Sequence, residues 1–87
     1  MPYHKDKQQA FQAAQQGVNE AEKIYLSLDK NSPEFASELS HLKNEINEAY
    51  QQIENALEVA SEHQRNRLEQ YKKDLEKIAS QVNKEEE

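Results

Sequence analysis

Apolar residues recur at alternating steps of three and four along residues 33–60, and this spacing is the strongest constraint on the fold. It is typical of one apolar stripe along a long α-helix, whereas a half-buried strand would alternate in steps of two. A stripe of this length has to be covered, so the flanking segments are expected to pack on it. This stripe, called here the central seam, consists of Phe35, Leu39, Leu42, Ile46, Ala49, Ile53, Ala56 and Ala60.

The segment before the central seam carries a matching stripe and predicts helix 1 over about residues 5–29, after a frayed start at 1–4. Gly17 lies beside this stripe. Because glycine costs about 1 kcal/mol relative to alanine inside a helix, its expected use is close approach of a neighbouring backbone. A tolerated weak point is the alternative. The stripe itself consists of Phe11, Ala14, Val18, Ala21, Tyr25 and Leu28.

One clear turn separates the first two helices, at residues 29–33. Ser32 can cap the following helix with its hydroxyl. Pro33 suits the first helical position, where no amide donor is needed. Helix 2 is therefore predicted over about residues 33–60.

The chain after helix 2 leaves two alternatives open. Extended by heptads, the central seam lands on His63 and Arg67, which are polar, and the apolar pattern resumes out of register at Leu68. Either one helix continues through a phase shift, or the chain turns. Ser61 followed by Gln64 fits a capping box, which favours a turn. Against a turn, neither Gly nor Pro is present there.

The predicted fold is an all-α antiparallel three-helix bundle, formed by the 87 residues as a single domain. Helix 3 is predicted over about 62–83, followed by a solvated tail at 84–87. In this arrangement Leu75 fills the layer in which Ala14 and Ala49 are both small, as a packed core requires. The alternative is a helical hairpin whose second arm is one long helix that self-associates as a coiled coil.

Composition excludes several classes of function. The chain has no Cys, which excludes disulfides and thiolate chemistry. Its apolar runs are too short to cross a bilayer, and its start has no apolar signal-peptide core, so a cytoplasmic location is expected. The net charge of −6 leaves no basic surface for nucleic acid or an anionic membrane.

The residues that could carry chemistry do not form a catalytic or metal-binding set. Glu38-x-x-His41 has the local spacing of a carboxylate-bridged di-metal site. Such a site needs a second pair pointing into the bundle, but no second pair exists and His41 points away from the seam. Neither a Ser, His and Asp constellation nor a Gly-rich phosphate loop can be assembled. We therefore expect no metal, no cofactor, no catalytic residues and no enzymatic activity. Three tyrosines in or beside the seams are expected in the core: Tyr25, Tyr50 and Tyr71.

Negative charge is concentrated in the predicted helix 2. Residues 32–60 hold six Glu against Lys43, a net charge of −5, while residues 1–31 are neutral and residues 61–87 carry −1. One interpretation assigns no binding role to these residues, which would form a solvated face that keeps the protein in solution. The other interpretation is a binding ridge that meets a basic surface on a protein partner, with an association rate that falls as salt is added. The candidate ridge consists of Glu34, Glu38, Glu45, Glu48, Glu54 and Glu58.

Two resemblances bear on function. The stretch SEHQRNRLEQYKKDLEKIASQ, with the preceding NEINEAYQQIENALEVA, resembles small uncharacterised helical-bundle proteins of spore-forming Gram-positive bacteria. This implies a bacterial, cytoplasmic helical protein and supplies no functional residues. In size the chain is also similar to the helical-hairpin substrates of type VII secretion, but it lacks their Trp-x-Gly turn. Tyr25-x-x-x-Asp29 and Tyr50-x-x-x-Glu54 match the spacing of their export signal, although both lie inside predicted helices.

The predicted function is that of a non-catalytic interaction, regulatory or structural protein that works through its helix faces. It would act on a protein partner or by self-association. The alternative is a type VII-like secreted helical-hairpin substrate.

Overall fold

The chain forms three helices in a computed structural model, which describes residues 7–86, with side chains up to residue 84. They are α1 (Lys7–Ser27), α2 (Phe35–Leu57) and α3 (Glu62–Glu86), and no strand occurs within the described range. Each helix packs against the other two. The fold is therefore the predicted all-α three-helix bundle. The predicted beginning of helix 1 near residue 5 and the frayed start lie outside the described residues.

The turn between α1 and α2 is fixed by two side-chain caps. The Asp29 carboxylate accepts the amide of Asn31 at 3.0 Å, and the Ser32 hydroxyl accepts the amide of Glu34 at 3.1 Å. Contrary to the prediction, Ser32 therefore caps the turn and not the helix, because the residue at the cap position of α2 is Glu34, which makes no side-chain cap.

Pro33 lies in the turn and not at the predicted first helical position. Regular helix begins at Phe35, two residues after the predicted start, because the entry is tighter than an α-helix. There the Phe35 amide donates to the Ser32 carbonyl, three residues back, at 3.1 Å.

The chain turns after α2, and a reciprocal capping box begins α3. The Ser61 hydroxyl accepts the amide of Gln64 at 3.3 Å, while the Gln64 side chain accepts the amide of Ser61 at 3.2 Å. Arg65 donates to the carbonyl of Leu57 at 3.1 Å, which satisfies an acceptor at the end of α2. The predicted turn is confirmed, and the hairpin with one long second helix is wrong. Helix α2 ends three residues before the predicted position, because residues 58–61 form the connection.

Helix α3 runs to Glu86, three residues beyond its predicted end. The expected solvated tail is therefore helical from Lys84 to Glu86, while Glu87 lies outside the described residues. Lys and Glu are good helix formers, and the segment has neither Gly nor Pro to stop the helix. Lys84 also lies in the last turn of α3, where a positive charge complements the helix dipole.

The core lies where the three seams meet. Leu75 is fully buried, as are Ala14 and Ala49, in agreement with the predicted pairing of one large residue with two small ones. Tyr25, Tyr50 and Tyr71 pack against this core as expected. Its buried residues are Ala14, Val18 and Ala21 of α1, Leu42, Ile46, Ala49, Ile53 and Ala56 of α2, and Leu68, Leu75, Ile78 and Val82 of α3.

An aromatic contact joins α1 to α3. The ring centroids of Phe11 and Tyr71 are 6.0 Å apart, with their planes tilted by 40°. The Arg67 guanidinium lies 5.6 Å from the centroid of the Phe11 ring and donates a 3.3 Å hydrogen bond to the Tyr71 hydroxyl. Arg67 thus supports the contact through both rings, in the geometry of a cation–π interaction.

Candidate partner-binding surface

The six carboxylates of the predicted ridge differ in exposure. Glu34 precedes the first residue of α2 and is exposed. Glu38 and Glu45 are half-buried at the edge of the central seam. The remaining three, Glu48, Glu54 and Glu58, are exposed. All six carboxylates can therefore be reached from solvent in whole or in part.

Helix geometry separates these carboxylates into two groups. A residue in an α-helix is rotated by about 100° from the one before it. Relative to the buried stripe of α2, this rotation places Glu54 and Glu58 on one side of the helix. The other four lie on the opposite side, which we call the acidic flank, and it consists of Glu34, Glu38, Glu45 and Glu48.

The acidic flank adjoins α1. Glu45 and Glu48 line a shallow groove together with Glu20 of α1, so a fifth carboxylate contributes to the same surface. The Lys23 ammonium nitrogen lies 3.9 Å from a carboxylate oxygen of Glu20, and both side chains are largely exposed. The negative charge of Glu20 is therefore only weakly compensated. The acidic flank and Glu20 thus form one group of five carboxylates along the side of α2 that adjoins α1.

Gly17 also lines this groove, and it allows α1 to approach α2 closely. A Cβ atom on Gly17 would lie 3.2 Å from the Cβ and 3.3 Å from the Cα of Ala49, and it would collide with the amide oxygen of Gln52. The expected close backbone approach at Gly17 is confirmed. The Gln52 amide oxygen is enclosed here and has no hydrogen-bond partner in the described part of the chain. Sequence reasoning did not single out Gln52, because nothing in its neighbours distinguishes it from the other glutamines.

The other side of α2 is tied to α3 by an ion pair. The Lys72 ammonium donates to the Glu54 carboxylate at 3.1 Å. This hydrogen bond raises the pKa of Lys72 above its ordinary value, and the stabilisation linked to that shift is lost as the pH rises through the raised pKa. Burial raises the pKa of the neighbouring Tyr50 hydroxyl, and the charge of Glu76 adds to the effect. Glu54 therefore already has a cationic partner within the chain.

The structure does not bring the candidate pair Glu38 and His41 together with further ligands as a metal site. His41 is exposed, while Glu38 is half-buried at the seam edge, so the pair does not point into the bundle. Among the described side chains, at residues 7–84, no group of three or more His, Cys, Asp and Glu converges as metal ligands. The two segments that match the export-signal spacing begin at Tyr25 and Tyr50, and both tyrosines pack against the core. Those segments belong to the folded bundle.

Comparison with known proteins finds no matching family model, curated protein or solved structure. Within the described residues, no helix combines the length and the apolar character that a membrane span requires.

Proposed function

We propose that this chain is a non-catalytic interaction protein whose acidic flank binds a basic surface on a protein partner. The observation that carries the proposal is the grouping of four carboxylates on one side of α2, next to Glu20 of α1. From Glu34 to Glu48 the flank extends over about 21 Å, at 1.5 Å per residue. That length matches a row of basic side chains on a partner better than it matches a single small cation.

Electrostatics gives this surface its expected behaviour. Like charges that are held on one face attract an oppositely charged surface over several ångströms and speed its approach. Exposed charges are screened within about 8 Å at physiological ionic strength, so binding should weaken as salt is added. Glu54 and Glu58 are not part of the proposed surface, since they lie on the other side of the helix and Glu54 holds Lys72.

The test compares two variants that carry the same net charge. The first is Glu45→Gln with Glu48→Gln on the acidic flank, and the second is Glu54→Gln with Glu58→Gln on the opposite side. Proteins captured from the native lysate by wild type and by both variants are quantified at low and high salt. We expect a partner that is retained by wild type and by the opposite-side variant at low salt. The flank variant and high salt should each release it.

Circular dichroism provides the control for folding, because neither pair of substitutions changes a buried side chain. Both variants should keep the helicity of the wild type. A set of captured proteins that is unchanged between the two variants would contradict a binding role for the flank. The same conclusion would follow if no protein were captured at either salt concentration, and the flank would then serve only to keep the protein in solution.

A further inference from the structure

One large apolar side chain lies in solvent beside a groove between α1 and α3. Leu26 is 81% exposed, and it is the only large hydrophobic residue with this status among the described residues. The groove has a volume of about 300 Å³, and Tyr25 and Ile78 are among the residues that line it. Leu26 does not fill the groove that it borders. This Leu26 surface is lined by Glu22, Tyr25, Leu26, Asp74, Lys77 and Ile78.

The Leu26 surface combines a protruding apolar side chain, Leu26, with a groove that is partly lined by apolar residues. A two-fold interface uses the same patch on both copies, so each patch has to offer both parts of the contact. Leu26 of one copy can enter the groove of the other, while its own groove receives the opposing Leu26. Burial of both side chains removes apolar area from water, which is the main driving force for association.

The charges around this groove are also self-complementary. Glu22 and Asp74 are acidic and Lys77 is basic, and within the described residues no ion pair joins Lys77 to either carboxylate. In a two-fold contact through this groove, Lys77 of each copy can face a carboxylate of the other. A uniformly acidic or uniformly basic partner would meet a like charge on this rim, whereas a second copy brings two carboxylates and one ammonium, so charges of both signs can face each other.

We propose that the protein self-associates as a two-fold dimer through the Leu26 surface. This interface is separate from the acidic flank, which lies between α1 and α2, so a dimer leaves that flank open. Helix α1 is about 31 Å long at 1.5 Å per residue. The face that α1 and α3 form together would bury, on both copies, an area near the lower limit of specific interfaces, about 1,200 Å² in total. The dimer is therefore weak, with a dissociation constant above about 1 µM.

Sedimentation equilibrium of the full chain, from about 1 µM to about 1 mM, tests this interface directly. Wild type should pass from monomer to dimer within that range. Leu26→Glu should weaken association by at least about tenfold, because it places a charge at the centre of the contact. The matched control is Ala36→Glu, which adds the same charge at an exposed position of α2 and should associate as wild type does. Because Leu26 is largely exposed, Leu26→Glu should keep its helicity.

A second measurement uses the absence of cysteine from the chain. Leu26→Cys should cross-link to a covalent dimer on mild oxidation, since a disulfide needs Cα atoms within about 7 Å and the two Leu26 positions meet near the axis. Ala36→Cys should cross-link much more slowly. The proposal is overturned if wild type stays monomeric throughout the range, if Leu26→Glu associates like wild type, or if both cysteine variants cross-link equally.

Discussion

Leu75→Ala is expected to lower the free energy of unfolding by roughly 2–5 kcal/mol. The Leu75 side chain is fully buried, and the two buried residues predicted to share its layer, Ala14 and Ala49, are too small to close the cavity that the substitution leaves. A chain of this length has a total stability of about 4–13 kcal/mol, at 0.05–0.15 kcal/mol per residue. The loss should therefore be visible as a large shift of the urea midpoint, measured by circular dichroism at low micromolar concentration.

Leu26→Ala is the matched control, because it makes the same chemical change at a side chain that is 81% exposed. Its free energy of unfolding should stay within about 0.5 kcal/mol of the wild-type value. The low concentration keeps any dimer dissociated, so both measurements report on the monomer. Equal losses for the two variants would show that Leu75 does not lie at the centre of the core.

Gly17→Leu should be the second strongly destabilising change, by roughly 1–3 kcal/mol. The new Cβ atom would lie 3.2 Å from the Cβ of Ala49, and the rest of the side chain would have to push α1 away from α2. Separation of the two helices loosens the layer that contains Ala14 and Ala49. The better helix propensity of leucine opposes this effect by less than about 1 kcal/mol. Thermal unfolding, followed by circular dichroism, measures the net change.

Asn19→Leu provides the comparison for Gly17→Leu, since Asn19 lies two residues further along α1 and is exposed. It should be neutral, or slightly stabilising through helix propensity. If Gly17→Leu were as stable as Asn19→Leu, the close approach of α1 and α2 would not contribute to stability, and Gly17 would be a tolerated weak point after all.

Much of the fold could be predicted because the local signals agree with each other. The spacing of the apolar residues placed all three helices, and the pairing of Ser61 with Gln64 indicated a turn where neither Gly nor Pro is present. Helix ends were less accurate. Their positions depend on backbone bonds such as the tight entry at Phe35, and these leave little trace in an apolar pattern.

The candidate surface was predicted only in part. Sequence reasoning identified the acidic residues of α2, but the half-burial of Glu38 and Glu45 at the seam edge comes from the structure. It treated all six as one ridge, because net charge along a segment does not show which neighbouring helix covers which side. The handedness of the bundle determines which helix covers which side of α2. In this structure Glu20 of α1 lines the same groove as Glu45, and Lys72 of α3 forms an ion pair with Glu54. A repeat of three and four fits either hand.

The contact between Phe11 and Tyr71 has a consequence for how the chain folds. These rings are 60 positions apart in the sequence, whereas the short connections at 28–34 and 58–61 join each helix to the next. Local pairs close with a smaller entropy cost than distant ones, so two helical hairpins can form before α1 meets α3. Phe11→Ala should therefore accelerate unfolding far more than it slows folding, as stopped-flow kinetics in urea can show. A folding rate reduced by the full loss of stability would instead mean that the first and last helices meet before the rate-limiting step.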